Sequence, residues 1–240
     1  MPETIILPDK NGCTPLYAAS EYGHCEIVKF LAEKSPESLS ITNTDGATPL
    51  WIASHKGHFD IVKFLAEKVP HTIAQVDTQY NATPLYVASE YGHLEIVKLL
   101  AKKSPGSISI AHKNGFTPLF IATRNKFKSI SELLLKKMTE MEQSAADNSE
   151  LNNQLYQSLF IAVEKNDLNL IKFFASHYPN LTRTSRQNNL SILHIACEHS
   201  DTKTVQYIME QAPDLLELDI VSEMPASHFE DMPDWINKDG

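Results

Sequence analysis

The sequence predicts an all-α fold, a solenoid of stacked helix–turn–helix units with projecting turns between them. Thr-Pro-Leu returns at steps of 34, 35 and 34 residues, an apolar helical stretch follows each copy, and one alanine position recurs in all six units. Fixed periods of this length are the sequence signature of repeat architectures. The four copies of the tripeptide begin at Thr14, Thr48, Thr83 and Thr117.

The first helix of each unit follows from its opening residues. Thr14 is a good N-cap, and Pro15 suits the first helical position because its missing N–H would be unpaired there anyway. The helix is predicted from Pro15 to about Tyr22, and Gly23 suits a left-handed residue at its end. The side chains predicted to face inward are Leu16, Ala19 and Ser20.

The second helix is predicted from Glu26 to Lys34, with Pro36 as its stop. Corresponding prolines end every other unit except the fourth. Turn residues such as Asp9–Gly12 and Asn43–Gly46 join the units, and asparagine replaces the turn glycine in two of them. The apolar positions of the helix are Ile27, Val28, Phe30 and Leu31; the other prolines are Pro70, Pro105, Pro179 and Pro213; the two asparagines are Asn81 and Asn189.

These copies resemble the ankyrin repeat family, whose signature is T-P-L-H-x-A. The stretches NGCTPLYAASEYGHCEIVKFLAEKSP, DGATPLWIASHKGHFDIVKFLAEKVP and YNATPLYVASEYGHLEIVKLLAKKSP carry the likeness, and NGFTPLFIATRNKFKSISELLLKK is a fourth copy. Two weaker copies, aligned by Leu159 and Leu193, lack Thr-Pro. The resemblance implies six repeats over about residues 7–218. The six recurring alanines, which indicate close helix approach, are Ala19, Ala53, Ala88, Ala122, Ala162 and Ala196.

The sequence departs from the family pattern at the fourth motif position, where only His194 is histidine. The other units carry an aromatic residue there, and we interpret this stripe as core rather than as a ligand ladder. The family's hydrogen-bond network between that histidine and the threonine cannot form in the same way in these units. The aromatic residues are Tyr17, Trp51, Tyr86, Phe120 and Phe160.

The spacing between the fourth and fifth copies is 40 residues, six above the period. The second helix of the fourth unit is predicted to continue to about Ser144. Ser144–Asn148 are predicted to form a polar kink, and no projecting turn is expected there. Ser149 is predicted to cap a long helix that carries Leu151, Leu155, Leu159 and Ala162 on one stripe. The predicted segments are repeats one to four over 1–143, an irregular extended junction over 144–156, degenerate repeats five and six over 157–218, and a degenerate cap with an acidic end over 219–240.

Charge and hydropathy limit the kinds of partner that the sequence predicts. Residues 1–145 carry 15 Lys and Arg against 15 Asp and Glu, and residues 146–240 carry 6 against 15, which gives the net charge of −9. Nucleic-acid binding needs a basic stripe, so no nucleic-acid partner is expected. No window approaches the roughly 18 apolar residues of a membrane span, so no membrane insertion is expected.

The candidate catalytic and metal-binding residues of the sequence do not form the pattern of any catalytic or metal site. Cys25 follows His24, yet it occupies the slot that Phe59 and Leu94 hold in neighbouring copies, and we interpret it as a core thiol. The histidines of the Gly-His pairs, His24, His58 and His93, have a structural role in the resembled family. The sequence therefore predicts no enzyme, no cofactor, no metal site and no small-molecule substrate. Three scattered cysteines indicate a reducing, cytoplasmic location.

Positions that vary between similar copies are the candidate partner-binding residues. If the fold is ankyrin-like, they line a concave groove and the tips of the projecting turns, which the family uses for recognition. Tyrosine and arginine are favoured interface anchors. The groove candidates are Glu21, Tyr22, His55, Lys56, Glu90, Tyr91, Arg124 and Asn125. The turn candidates are Lys10, Asn11, Asp45, Tyr80, Lys113, Asn114 and Phe116.

The leading functional hypothesis is a non-catalytic interaction module or scaffold with a protein partner. The alternative is a targeting or substrate-recruiting region of a larger multidomain protein, such as an intracellular-bacterial effector acting in the host cytosol, whose activity lies outside this chain. The start of the chain motivates the alternative, because Leu7 aligns with Ile41 and the chain opens inside an inter-repeat loop without a polar first unit.

Overall fold

The computed structural model of the chain describes residues 6–142, 149–177 and 192–211. All regular structure in these ranges is helical, and none of their residues lies in a strand. The chain divides into two compact units, residues 1–146 and 147–240. None of the described helices is long and apolar enough to cross a membrane.

The first unit contains four helix pairs. Three short 3-10 helices, each opened by a proline, follow the second helices of the first three pairs, so the prolines predicted as stops also start the next element. The helices are α1 (Pro15–Glu21), α2 (Cys25–Lys34), α3 (Pro49–Lys56), α4 (Phe59–Lys68), α5 (Pro84–Glu90), α6 (Leu94–Lys103), α7 (Pro118–Arg124) and α8 (Lys128–Glu142); the 3-10 helices are Pro36–Leu39, Pro70–Ala74 and Pro105–Ser109.

The Thr-Pro start of each first helix is confirmed. The backbone N–H of Tyr17 donates to the hydroxyl of Thr14 at 3.2 Å. The same bond recurs three residues into α3, α5 and α7 at 3.1, 3.1 and 3.2 Å. Helix α1 ends at Glu21, one residue earlier than predicted, and Gly23 has the expected left-handed backbone with φ 80°.

The two helices of each pair form two rows. Each first helix packs against the next one along the chain, from α1 to α3, α5 and α7, and each second helix packs against the next from α2 to α8. The predicted close approach is confirmed, because Ala53, Ala88 and Ala122 are fully buried and Ala19 is 5% exposed. The leucines of the motif fill the space between the rows. They are Leu16, Leu50, Leu85 and Leu119.

Gly-His pairs join successive repeats. The ring Nε2 of His58 lies 2.9 Å from the backbone oxygen of Glu21, and that of His93 lies 2.9 Å from the backbone oxygen of His55. Each ring lies over the glycine of the preceding unit, where an added Cβ would approach within 2.6 Å of it at both Gly23 and Gly57. The structural interpretation of these two histidines is confirmed, whereas His24 is exposed.

One sequence-based expectation for α2 is wrong, because Cys25 is only partly buried rather than a core thiol. Two apolar residues of the same helix, Ile27 and Phe30, are 49% and 56% exposed. Helix α2 packs against α4 as its second-helix neighbour, whereas α4 packs against both α2 and α6, and the matching Ile61 of α4 is buried. Helical spacing places these apolar residues on one helix, but their burial also requires a neighbour on that face.

Residues 149–177 and 192–211 of the second unit contain two helix pairs. Helix α9 (Ser149–Glu164) begins at the predicted Ser149 and is longer than any first helix before it; α10 (Leu168–His177), α11 (Ile192–His199) and α12 (Thr202–Gln211) follow. Burial of Leu155, Leu159 and Ala162 confirms the described part of the predicted stripe. The predicted kink at Ser144–Asn148, the turn residue Asn189 and the cap at 219–240 lie outside the described residues, as does the side chain of Leu151.

The buried alanine row limits how large these side chains can be. Ala88→Leu is expected to destabilise the fold by about 1–3 kcal/mol, because extra methylenes must fit between helices already in contact. Urea denaturation measures the change, with Ala74→Leu, at an exposed position, as the control. Equal midpoints for both variants would contradict the close approach of α5 to its neighbours.

Alanine substitutions at three glycines distinguish the stability cost of backbone strain from that of a steric clash. Gly57 (φ 82°) faces the His93 ring, Gly115 (φ 80°) has open space, and Gly106 has open space without a positive φ. Gly115→Ala is expected to cost about 1–2 kcal/mol from the left-handed backbone alone. Gly57→Ala should cost more, since the ring must also move, and Gly106→Ala should be nearly neutral. Thermal unfolding tests this order. A Gly57 variant that is no less stable than the Gly115 variant would contradict the close contact between Gly57 and the His93 ring.

Candidate functional site

The ends of the four first helices of the first unit form one line of side chains, which we call the first-helix row. Its neighbours touch across repeats: Lys56 Nζ lies 3.8 Å from Glu21 Oε1, and Asn125 Nδ2 donates to the backbone oxygen of Glu90 at 2.8 Å. The sequence-predicted groove residues are therefore brought together. The row consists of Glu21, Tyr22, His55, Lys56, Glu90, Tyr91, Arg124 and Asn125.

Aromatic rings support the middle of the first-helix row. The rings of His55 and Tyr91 meet edge to face at 4.3 Å, and Trp51 lies 5.5 Å from His55. Trp51 is held by its indole N–H, which donates to the backbone oxygen of Ala82 at 2.9 Å. Burial, and then the neighbouring Lys56, lower the pKa of His55, so its ring is neutral near pH 7.

The interpretation of the aromatic stripe as core is confirmed at four positions, which are buried: Tyr17, Tyr86, Phe120 and Phe160. Trp51 is partly buried and packs against two clusters of the core, one around Tyr17 and one around Tyr86. The bond from its indole N–H to Ala82 fixes the ring between these two repeats.

Tyr22 and Tyr91 are the exposed aromatic residues of the first-helix row, at 70% and 52%. The ring of Tyr22 lies 6.5 Å from that of His24 in a stacked orientation. Both rings are therefore accessible to a partner while part of each is supported by a neighbouring ring. Tyrosine is a residue type that is enriched among interface anchors.

Glu90 and Arg124 differ from the ion pair at Glu21. Within the described part of the chain, neither charged group has an ion pair or hydrogen bond. Glu90 is partly buried and Arg124 is exposed. Burial raises the pKa of the Glu90 carboxyl above its ordinary value, and the more distant charge of Arg124 opposes that shift without cancelling it.

The projecting turns form a second continuous surface, which we call the turn-tip strip. The backbone N–H groups of Thr44, Thr78 and Lys113 donate to the backbone oxygens of the preceding turn at 2.8–3.0 Å. Lys113 also places its ammonium 4.5 Å from the centre of the Tyr80 ring. The predicted tip residues are exposed except Phe116, which is partly buried. They are Lys10, Asn11, Asp45, Tyr80, Lys113, Asn114 and Phe116.

An aromatic stack lies beneath the turn tips of the third and fourth repeats. His112 stacks between Tyr80 at 5.8 Å and Tyr86 at 5.2 Å. Phe116 lies parallel to Phe120 at 4.3 Å, so much of its ring supports the turn. Sequence reasoning missed His112, because it stands in a linker with no counterpart histidine in the other turns.

Two of the three cysteines have thiols with raised pKa values. Burial and the nearby Asp9 raise the pKa of the Cys13 thiol, and burial raises the pKa of Cys197 to about 11, so neither is a ready nucleophile. Among the residues that the structure describes, no group of three His, Cys, Asp or Glu side chains could hold a metal ion.

Stacked helix pairs with a 34-residue step and projecting turns define a helical repeat protein. The family model for ankyrin repeats, which holds three copies, matches residues 3–76, 36–111 and 70–147, together more than half of the chain. The chain therefore belongs to the ankyrin repeat family. The helix pairs of the second unit lie beyond the matched residues. No curated protein matches the chain.

The unpaired carboxylate of the first-helix row has a measurable consequence. The pKa of the Glu90 carboxyl is higher in the folded protein than in the unfolded chain. Folding stability is therefore greatest below the pKa that Glu90 has in the unfolded chain, and it falls as the pH rises through the pKa that Glu90 has in the folded protein. Glu90→Gln removes this titration, so the variant should melt higher than wild type near pH 7. The gain should disappear below the ordinary glutamate pKa of about 4.3.

Thermal melts at neutral and acidic pH provide the measurement. Glu67→Gln, an exposed carboxylate of α4, is the matched control and should follow wild type at both pH values. A Glu90 variant that melts lower than wild type at pH 7 would show that the carboxylate has a stabilising partner.

Proposed function

We propose that this chain is a non-catalytic protein–protein interaction module that binds a protein partner through the first-helix row and the turn-tip strip. Ankyrin repeats are generally modules of this kind. The observation that carries the assignment to the first-helix row is the exposure of Tyr22 and Tyr91, two tyrosines on one surface of a rigid stack. Tyrosine is among the residue types that are enriched at the energetic centres of interfaces.

The physical setting supports a preformed binding surface. Backbone hydrogen bonds join neighbouring turns, and histidine contacts join neighbouring helix pairs. A partner that binds such a surface pays little for ordering it, so a few anchors are sufficient for affinity. The even charge balance of residues 1–145 favours a protein partner over nucleic acid.

We propose that the interaction takes place in the cytoplasm, because three widely scattered cysteines without a CxxC pair fit reduced thiols better than a disulfide framework. The same surface would serve the targeting or substrate-recruiting role of a larger protein, including a delivered effector. In that case the partner is the recruited protein, and the binding residues are unchanged.

The double variant Tyr22→Ala with Tyr91→Ala tests the binding surface. A partner is first captured from lysate on the wild-type chain, identified by crosslinking mass spectrometry, and then titrated in purified form against each variant. Loss of both anchors should weaken binding about tenfold or more, while the melting temperature stays within a few degrees of wild type.

The matched control removes two exposed aromatic residues from second helices, Phe30→Ala with Phe59→Ala, which are 56% and 38% exposed. This control should bind as wild type does. Full affinity of the tyrosine variant, or a greater loss in the control, would place the interface on the other face of the stack.

A further inference from the structure

The first-helix row leaves one negative and one positive group unpaired in adjacent repeats. Glu21 has Lys56 at 3.8 Å, but within the described residues the carboxylate of Glu90 and the guanidinium of Arg124 have no ion pair or hydrogen bond. Asn125 Nδ2 holds the backbone oxygen of Glu90 at 2.8 Å, so the two repeats are fixed side by side. The row therefore presents a negative group in one repeat and a positive group in the next.

Glu90 is the more demanding of the two charges. Its partial burial removes hydration that Arg124, at its distance, does not replace, and the carboxyl pKa is raised as a result. A cation that reached hydrogen-bond distance would restore the lost interaction. Charge-assisted bonds of this kind are about twice as strong as neutral ones, and an arginine can form two of them with one carboxylate.

Tyr91 lies next to Glu90 in the chain and offers a flat aromatic surface. The edge-to-face contact with His55 at 4.3 Å supports the ring, yet 52% of the residue remains exposed. The lowered pKa of His55 keeps that supporting ring neutral near pH 7, so it does not repel an incoming cation. Guanidinium groups stack on aromatic faces while binding carboxylates, a combination that lysine cannot match.

Arg124 sets the second requirement on the partner. An exposed guanidinium beside the site would repel a lone incoming cation, and its own donors have no described partner. An acidic group on the same partner segment would meet both conditions. The charges of the row are thus complementary to an arginine with a carboxylate close to it.

We propose that the first-helix row binds a protein segment in which an arginine contacts Tyr91 and pairs with Glu90, and a nearby acidic side chain pairs with Arg124. This inference rests on the proposed function, since it specifies the chemistry of the partner for the same surface. It requires no other surface of the chain.

A random-peptide phage library, panned on the whole purified chain, supplies the probe. The enriched peptides should contain an arginine with an acidic residue close to it. Synthetic copies of them should bind Glu90→Gln about tenfold more weakly, and replacing the peptide arginine by lysine should also weaken binding. Arg124→Gln should remove the preference for the acidic residue.

Matched controls come from α4, where Glu67 and Lys63 are exposed. Glu67→Gln and Lys63→Gln change the net charge by the same amounts as the two test variants and should leave peptide binding unchanged. Melting temperatures of all four variants establish that the fold is intact.

The outcomes separate this inference from the proposed function. Peptides that Tyr22→Ala with Tyr91→Ala weakens, but that lack arginine or ignore Glu90→Gln, overturn the inference and leave the interaction surface in place. Peptides that ignore the tyrosine variant as well count against both. A library that yields no binder overturns the linear-segment inference, and the titration of the captured partner then decides the proposed function alone.

Discussion

The close approach of adjacent repeats is the constraint on which the rest of the structure depends. Alanine at one position of every first helix lets the helices come close enough for the motif leucines to be sealed between the rows. The same spacing brings a histidine ring over the glycine of the preceding unit, where no Cβ fits. A larger residue at the alanine or at the glycine position would push the two repeats apart and weaken the other contacts between them, because close-packed interiors have no free space to take it up.

This stacking also determines what the surface can do. Because successive first helices are in register, their final residues fall into one line, and turns joined by backbone hydrogen bonds hold the tips beside it. Tyr22 follows α1, which packs against α3, and Tyr91 follows α5, which packs against both α3 and α7. The chain therefore combines a rigid scaffold with a few variable side chains, which is how binding sites are commonly carried on stable folds.

The sequence could predict features that follow from residue spacing, from capping chemistry or from a position that keeps one residue type in every repeat. The Thr-Pro helix start, the alanine row and the start of α9 at Ser149 are of this kind, and each is confirmed. Features that depend on how differing side chains meet across repeats were not predictable in this way. Phe30 is exposed because of what lies beside α2, and the unpaired state of Glu90 depends on where Lys56 and Arg124 point.

The side chain that lies over the glycine of the preceding repeat occupies one position, which we call the slot, and this position accepts more than one residue type. His58 and His93 fill it in the early repeats, and Phe127 fills it against Gly92 in the fourth. In the second unit Ser200 donates to the backbone oxygen of Val163 at 2.8 Å instead.

The backbone before the slot keeps its shape while its residue changes. Lys126 and Asn166 stand where earlier units have glycine, and both keep a positive φ, at 62° and 52°. Retaining that conformation with a side chain costs about 1 kcal/mol or more, so the geometry itself is what the stack requires. Once the geometry is held by packing, the Thr-Pro motif is dispensable, and α9 and α11 form without it. The residues next to the slot, at the ends of the first helices, are then free to vary in charge and aromatic character, which is the variation that a binding surface needs.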